Sequence, residues 1–520
     1  MRTSRRAFKC ILSFFIVLFL FACANSDDDN NGGSWEKKVT VTLPSRKLLP
    51  HDPINFSASL KDTTFADATK FTKEMAQASF CLAMATDKEA NLRKFFTECG
   101  CDKIQLQNSE AGKSYDDNKT SDAISYGLAH LRDKDGDVIV LGIRGLSYTY
   151  EWISNIDLGK EGDHAGFTSA AKKVYDGLKD YIQKNCADSY KNKTLKLWIS
   201  GYSRAGAVSD VLAYYILTGL EADSTYTKLD IAQKNVFVYT FNTPKSLCQA
   251  HVQAYTNVFN VISNADLVTY VAPEKYGFYR CGTDKFLFVG NPEQYQRKEV
   301  EGQKYSSYTE YTVSFTSEID NWLKEYKIEG MPEFCVHICK KYTDPPKTEP
   351  GYPGDTYKTE KECIEYFVKL MTDTEKTGGF TLKSRESFVD TARPTFEYIL
   401  KLYFDNSDKF AKAFEGLDAS FFMKLISSAD SFYTSLQDLF DKNDITYGSA
   451  EDLKKHCTKL FDAIFNSNQE GGLSDFFLKA FPLILGMVVP SKTTVNKDLL
   501  RPILMHFPES ACVALLNLTE

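Results

Sequence analysis

A single serine divides two patterns in "LKLWISGYSRAGAVSDVLAYYI". Leu195, Leu197 and Ile199 alternate as in a strand, and beyond Gly206 the apolar residues take helical spacing. Ser203 lies between them among small residues, Gly201, Ala205 and Gly206. A serine hydroxyl is a weak nucleophile until a base takes its proton and nearby donors stabilise the anion that its attack creates. A tight strand-to-helix turn with small flanking residues exposes such a hydroxyl. It also aims the first N–H of the helix, here that of Arg204, at the reacting centre. The second donor should come from the loop after an earlier strand. "DVIVLGIRG" ends at Gly145, so the N–H of Leu146 is the candidate. The same short stretch also fits an ordinary turn with a helix-capping serine.

The elements needed to hold such a site are legible around it. Helical spacing runs through 65–98, with Phe71, Met75, Ala78 and Leu82 followed by Leu92, Phe95 and Phe96. Residues 137–145 read as a buried strand, 166–185 as an amphipathic helix with Val174, Leu178 and Ile182 on one stripe, and 195–200 as the next strand. A helix to about Leu217 follows, then buried strands at 235–244 and 258–268. Alternating strands and helices predict right-handed crossovers and a mainly parallel sheet, an α/β fold. "YTDPPKTEPGYPGDTYKTEKE" is rich in proline and reads as a linker, and the pattern beyond it is helical throughout. The expected division is an α/β domain over 46–345, a linker over 346–362 and an all-helical C-terminal domain over 363–520.

Five segments carry a resemblance. "VIVLGIRGLSYTYEWISN", "HAGF", "GYSRAGAVSDVLA", "VYTFNTPKS" and "FNVISNADLVTYVAP" occur in the order of the class 3 lipase-like α/β-hydrolases. The chain resembles bacterial members with a Gly-Tyr-Ser-Arg elbow. The likeness covers roughly residues 60–345. It implies an α/β-hydrolase fold, Ser203 as nucleophile and Asp266 as the acid of a Ser-His-Asp triad, with no cofactor and no metal required. Leu146 stands where the family has Thr or Ser, Tyr202 replaces the elbow histidine, and Ala205 replaces a glycine. The family's histidine follows its acid, and only His337, His456 and His506 follow Asp266. "HICKKY" fits the form of the subgroup with a similar "FYRCGTD" segment, so the resemblance implies His337; His456 falls inside the helical region. Asp266 could also simply cap a turn. Asp210 is expected on the elbow helix facing away, and His164 is expected to be structural. Arg144, Glu151, Trp152 and Asn155 are expected to brace the oxyanion loop, although Glu151 could face solvent.

The ends and the charge bound the rest. Arg2, Arg5, Arg6 and Lys9 precede "CILSFFIVLFLFA", a secretory signal too short for the ~20 residues of a membrane span. Leu20-Phe21-Ala22-Cys23 resembles a bacterial lipobox, which implies 1–22 as signal peptide and Cys23 as the lipidated residue; the alternative is a plain signal peptide cut near Ala22 or Ala24. Residues 23–45 read as a flexible acidic tether, and Asp27-Asp28-Asp29 resembles a surface-export signal. The expected location is the bacterial outer membrane or cell surface. A net charge of −7 argues against nucleic-acid partners. Cys335-x-His337-x-Cys339 could be imagined as zinc ligands, but structural zinc usually draws on wider turns. The apolar run 476–490 reads as a buried helix and loop or as a lipid-docking lid. The functional expectation is an exported, lipid-anchored serine hydrolase acting on acyl esters. The competing reading is a surface-tethered binding protein on a hydrolase fold whose activity has lapsed.

Overall fold

The computed structural model describes residues 35–44, 53–117, 119–120, 122–220, 223–263, 266–289, 309–313, 380–415, 417, 419–425, 427–465 and 506–516. Cys23, His337, the proline-rich linker and the 476–490 run lie outside the described residues. From Glu36 onward the chain forms one compact unit.

The unit opens with an antiparallel pair, β1 (Glu36–Leu43) and β2 (Ile54–Lys61). Val39, Val41 and Leu43 are buried on alternate positions, as are Ile54, Phe56, Ala58 and Leu60. That period of two fixes one face against the protein. Strand β1 occupies the last part of the stretch expected to be a tether. The helical spacing of 65–98 becomes two helices, Lys73–Ala85 and Glu89–Glu98. Thr72 starts the first by accepting the Met75 N–H through its hydroxyl at 3.2 Å.

The main sheet contains β3 (Asp102–Asn108), β4 (Ser125–Asp133), β5 (Gly136–Ile143), β6 (Lys196–Tyr202) and β7 (Val236–Phe241). A two-stranded pair stands apart from it, β8 (Leu247–Cys248) with β10 (Phe278–Tyr279). The sheet is completed by β9 (Val258–Ser263), β11 (Thr283–Val289) and β12 (Thr309–Val313), in the order β12-β11-β9-β7-β6-β5-β4-β3. Pairing is parallel from β5 through β12 and antiparallel at β3–β4 and β4–β5. Every residue of β6 and β7 is buried, as expected for central parallel strands covered on both faces.

Helices Ala165–Asn185 and Arg204–Leu217 share one hydrophobic core with one face of the sheet. On the other face Trp198 is fully buried beside Phe65 and Phe95, and its indole N–H donates to Ser79 Oγ at 2.8 Å. The layered, mainly parallel arrangement is that of an α/β-hydrolase, followed by a helical region.

That region contains helices Arg393–Asp405, Ser407–Glu415, Ala419–Leu425, Ala429–Lys442 and Ala450–Phe465. Phe432, Leu439, Phe440, Leu453 and Phe461 form their core. The apolar periodicity of 422–440 is interrupted at Ser428, whose hydroxyl caps the second helix by accepting the Ser431 N–H at 3.0 Å. The region does not stand apart from the sheet. The Arg385 guanidinium donates to the carbonyls of Leu158, Gly159, Glu161 and Gly162 at 2.5–2.8 Å. The last helix, Pro508–Leu516, packs on Lys73–Ala85, where Gln77 Nε2 donates to the Leu515 carbonyl at 3.1 Å. Among the described residues no helix is long and apolar enough to cross a membrane.

Candidate active site

Three strand ends build the site. Ser203 follows β6 with φ 55° and ψ −124°, a conformation that costs a non-glycine residue about 1–3 kcal/mol. The surroundings hold it there: its N–H donates to the Phe241 carbonyl at 2.8 Å, and its carbonyl accepts from Ala207 at 3.2 Å. A Cβ on Gly201 would lie 2.5 Å from the Ala205 backbone, so strand and helix approach too closely for any side chain there. After β5, a Cβ on Gly145 would lie 1.9 Å from the Tyr202 carbonyl oxygen. The loop carrying Leu146 is therefore pressed directly against the elbow. The Arg204 N–H is the first of its helix, where no carbonyl one turn earlier can accept it.

Beyond β9, Asp266 caps the turn Leu267–Tyr270 and meets an imidazole at once. Its Oδ1 accepts the Val268 N–H at 2.8 Å, and its Oδ2 lies 2.7 Å from His506 Nδ1. His506 Nε2 is 2.8 Å from Ser203 Oγ. Both readings of Asp266, turn cap and partner of a histidine, are thus satisfied by different oxygens. Among the described residues, the histidine that meets Ser203 and Asp266 is His506; His337, which the resemblance implied, lies outside the described residues. His456 lies in the helical core, stacked 4.3 Å from Tyr398 and hydrogen-bonded to Thr395 Oγ1 at 3.0 Å.

Tyr202 explains how so distant a segment finds its place. Its hydroxyl accepts from Asn242 Nδ2 at 2.9 Å and donates to the His506 carbonyl at 2.8 Å. The residue that departs from the family's elbow histidine therefore anchors the backbone of the imidazole. Pro508 then opens the final helix, and its fixed φ suits a first helical position. The signal available in the sequence was a histidine just ahead of a proline-started helix, in "MHFPES".

Asp266 is fully buried, and burial raises its carboxyl pKa above the ordinary value. His506, the Val268 N–H and Arg280 pull in the opposite direction. Arg280 is itself clamped, donating to both oxygens of Asp284 and to the Thr243 and Thr269 carbonyls.

A buried charge cluster supports the loop after β5 that was expected to carry an oxyanion donor. Arg144 and Arg204 share Glu151: Arg144 Nη2 reaches Oε1 at 2.5 Å, and Arg204 Nη1 reaches Oε2 at 3.2 Å. Glu151 is fully buried, so the expectation that it could face solvent fails: two guanidiniums draw it inward. Arg204 Nε and Nη2 also donate to Ser154 Oγ at 3.1 and 3.0 Å. Trp152 is 47% exposed and packs 5.6 Å from Tyr148. Asn155 donates through Nδ2 to the Tyr148 hydroxyl at 3.0 Å. His164 is buried under Phe167, with Nε2 3.2 Å from the Asn155 carbonyl. Asp210 lies buried on the elbow helix, and neither carboxyl oxygen has a hydrogen-bond partner among the described residues. Burial raises its pKa well above the ordinary value.

Two groups of potential metal ligands occur among the described residues, His130–Asp137–Cys186 and Asp163–Cys248–His251, and neither includes a residue of this site. In the second, Asp163 is occupied by the Cys248 N–H at 2.8 Å and by His251 Nδ1 at 2.7 Å. Cys81, Cys99, Cys101, Cys186, Cys248, Cys281 and Cys457 form no disulfide.

Residues 140–276 match the family model of Lipase (class 3). No curated protein matches the chain. Among solved structures, the Rhizomucor miehei lipase–propeptide complex is similar at 17% identity, covering 42% of this chain and 69% of that one, with a TM-score of 0.29. A lipase from Rhizopus microsporus var. chinensis is similar at 16% identity, covering 41% and 74%, with a TM-score of 0.29. Lipase II from Rhizopus niveus is similar at 17% identity, covering 49% and 84%, with a TM-score of 0.28.

Proposed function

We propose that this protein hydrolyses carboxylic esters through an acyl-enzyme on Ser203, with His506 as general base and Asp266 as its orienting acid. The observation that carries the reading is the unbroken relay from Asp266 Oδ2 through both nitrogens of His506 to Ser203 Oγ, at 2.7 and 2.8 Å. Ser203 Oγ attacks the ester carbonyl as its proton passes to His506 Nε2. The carbonyl π pair moves to oxygen, where the N–H groups of Leu146 and Arg204 receive the charge. Collapse of this intermediate breaks the bond to the leaving alcohol, which takes the proton from Nε2. Water then repeats the sequence, with His506 as its base, and releases the acid and free Ser203. Asp266 holds the Nδ1–H tautomer and stabilises the imidazolium.

The same proposal includes a lipid-type acyl substrate and an exported protein anchored through Cys23 at the outer membrane or cell surface. The first rests on the class 3 lipase-like segment, the second on Leu20-Phe21-Ala22-Cys23. The test is hydrolysis of p-nitrophenyl esters from acetate to palmitate, with fluorophosphonate labelling, in native protein and Ser203→Ala. Native hydrolysis and labelling, both abolished in the variant, are expected. A variant as active as native protein overturns the reading. A folded native protein that neither hydrolyses nor labels would favour the lapsed, binding-only alternative.

A further inference from the structure

Asn242 follows β7 with φ 45°, a left-handed conformation that asparagine tolerates better than most side chains. Its backbone N–H donates to the Val261 carbonyl at 3.0 Å, which fixes its place against β9. Its buried side chain works at both ends. Oδ1 accepts the Ser263 N–H at 3.0 Å, and Nδ2 donates to the Tyr202 hydroxyl at 2.9 Å. A backbone N–H can only donate and a carbonyl can only accept. Ser263 therefore fixes which end of the amide is oxygen, and the phenol, receiving a proton from Nδ2, sends its own to the His506 carbonyl at 2.8 Å. On the other side the Ser263 carbonyl accepts the Asp266 N–H at 3.2 Å, and Asp266 Oδ2 faces His506 Nδ1 at 2.7 Å. These bonds close a ring through Asn242, Tyr202, His506, Asp266 and Ser263, and every donation runs in the same sense around it.

We propose that Asn242 is a positioning residue that couples the acid and the base of the triad through this ring. The proposal rests on the ester-hydrolase reading above and adds no group that touches substrate. One amide holds the end of β9, from which Asp266 departs, and through Tyr202 it holds the backbone of His506. Those two segments lie 240 residues apart in the chain, so their separation needs a reference that both touch. Ser203 is held to the same place, because its N–H donates to the carbonyl of Phe241, the residue before Asn242. Bonds donating in one sense around a ring polarise one another, and in a buried site each is stronger than in water. Direction is what the Asn242 N–H supplies. An acceptor of the same shape would take the Tyr202 proton and release the His506 carbonyl.

Asn242→Asp keeps the shape and the acceptor for Ser263 but has no N–H to give Tyr202. Asn242→Gly suits the left-handed backbone and removes both arms. The experiment measures kcat and KM on a p-nitrophenyl ester for each variant, for Tyr202→Phe and for the Asn242→Asp/Tyr202→Phe double variant, with urea melts to establish folding. It also records the low-field proton resonance of the His506 Nδ1–H bonded to Asp266. The expected result is a loss of about 10-fold in kcat for Asn242→Asp and about 10²-fold for Asn242→Gly, with KM little changed. The double variant should lose no more than about 10-fold, because both substitutions break one path. The resonance should move upfield in both Asn242 variants, a change that a purely structural role would not produce. Native kcat in folded variants, a loss confined to KM, an unmoved resonance or losses that multiply in the double variant each overturn the role. So does rapid hydrogen exchange at the Ser263 and Asp266 amides of the native protein, a measurement that needs no variant. If Ser203→Ala abolishes hydrolysis while the Asn242 variants are native-like, only this inference falls. If Ser203→Ala is fully active, the hydrolase reading and this inference fall together.

Discussion

Glu151 shows how one residue's surroundings decide its role. A lone carboxylate eight residues after β5 could have been a solvent group, but here it neutralises two buried guanidiniums behind the loop that carries Leu146. Removing one member of such a cluster leaves buried charge uncompensated, typically at about 3–5 kcal/mol. Glu151→Gln is therefore expected to lower unfolding stability in urea by about 3 kcal/mol or more; a change under ~0.5 kcal/mol would show that water already solvates the arginines. His164 gives a prediction in pH. Burial lowers its imidazole to about 3, helped by Arg385 and Arg204 and opposed by the Asn155 carbonyl. The unfolded chain takes up that proton near 6.5, so between 6.5 and 3 it binds a proton that the folded protein does not. Stability from this group is complete above 6.5 and declines as pH falls toward 3, by up to ~1.4 kcal/mol per unit. Urea melts from pH 7 to pH 4 should show this slope, and His164→Gln should flatten it.

At the scale of elements, the elbow strand and the final helix are joined by Tyr202. Its hydroxyl holds the His506 carbonyl while the imidazole of the same residue meets Ser203. Tyr202→Phe keeps the ring and frees that backbone, and small misplacements of a reacting group are costly. The expected result is a fall of about 10-fold in kcat with KM unchanged; an equal rise in KM and unchanged kcat would show that Tyr202 acts on substrate binding instead. The elements around Ser203 were legible because each is local. Fully apolar strands, small residues at the turn and a 3.6-residue stripe in 166–185 are visible within a few residues. Strands β3 and β4 were not, because β3 carries alternating polar residues at an edge and pairs only through its neighbour. The anchor of β1 was hidden for a similar reason: half its residues face outward, so a short strand resembled the polar stretch before it.

The whole molecule explains why the histidine was the hardest residue to place. Ser203 and Asp266 sit at the carboxyl ends of parallel strands, where crossovers deliver loops to one edge of the sheet. His506 arrives from beyond the helical region, separated from Asp266 by 240 residues, a pairing that no local pattern encodes. What makes it possible is that the helical region is tied down. Arg385 grips the loop 158–162, Arg393 meets Asp157 at 2.6 Å, and the Tyr276 hydroxyl donates to the Leu382 carbonyl at 2.6 Å. The chain thus leaves the sheet, builds a second core and returns to complete the first. The most direct test compares His506→Ala with His337→Ala in ester hydrolysis, each checked for native folding. The account predicts a loss of at least about 10³-fold in kcat for His506→Ala and near-native activity for His337→Ala. A His506→Ala enzyme that keeps its activity, with His337→Ala inactive, would contradict it.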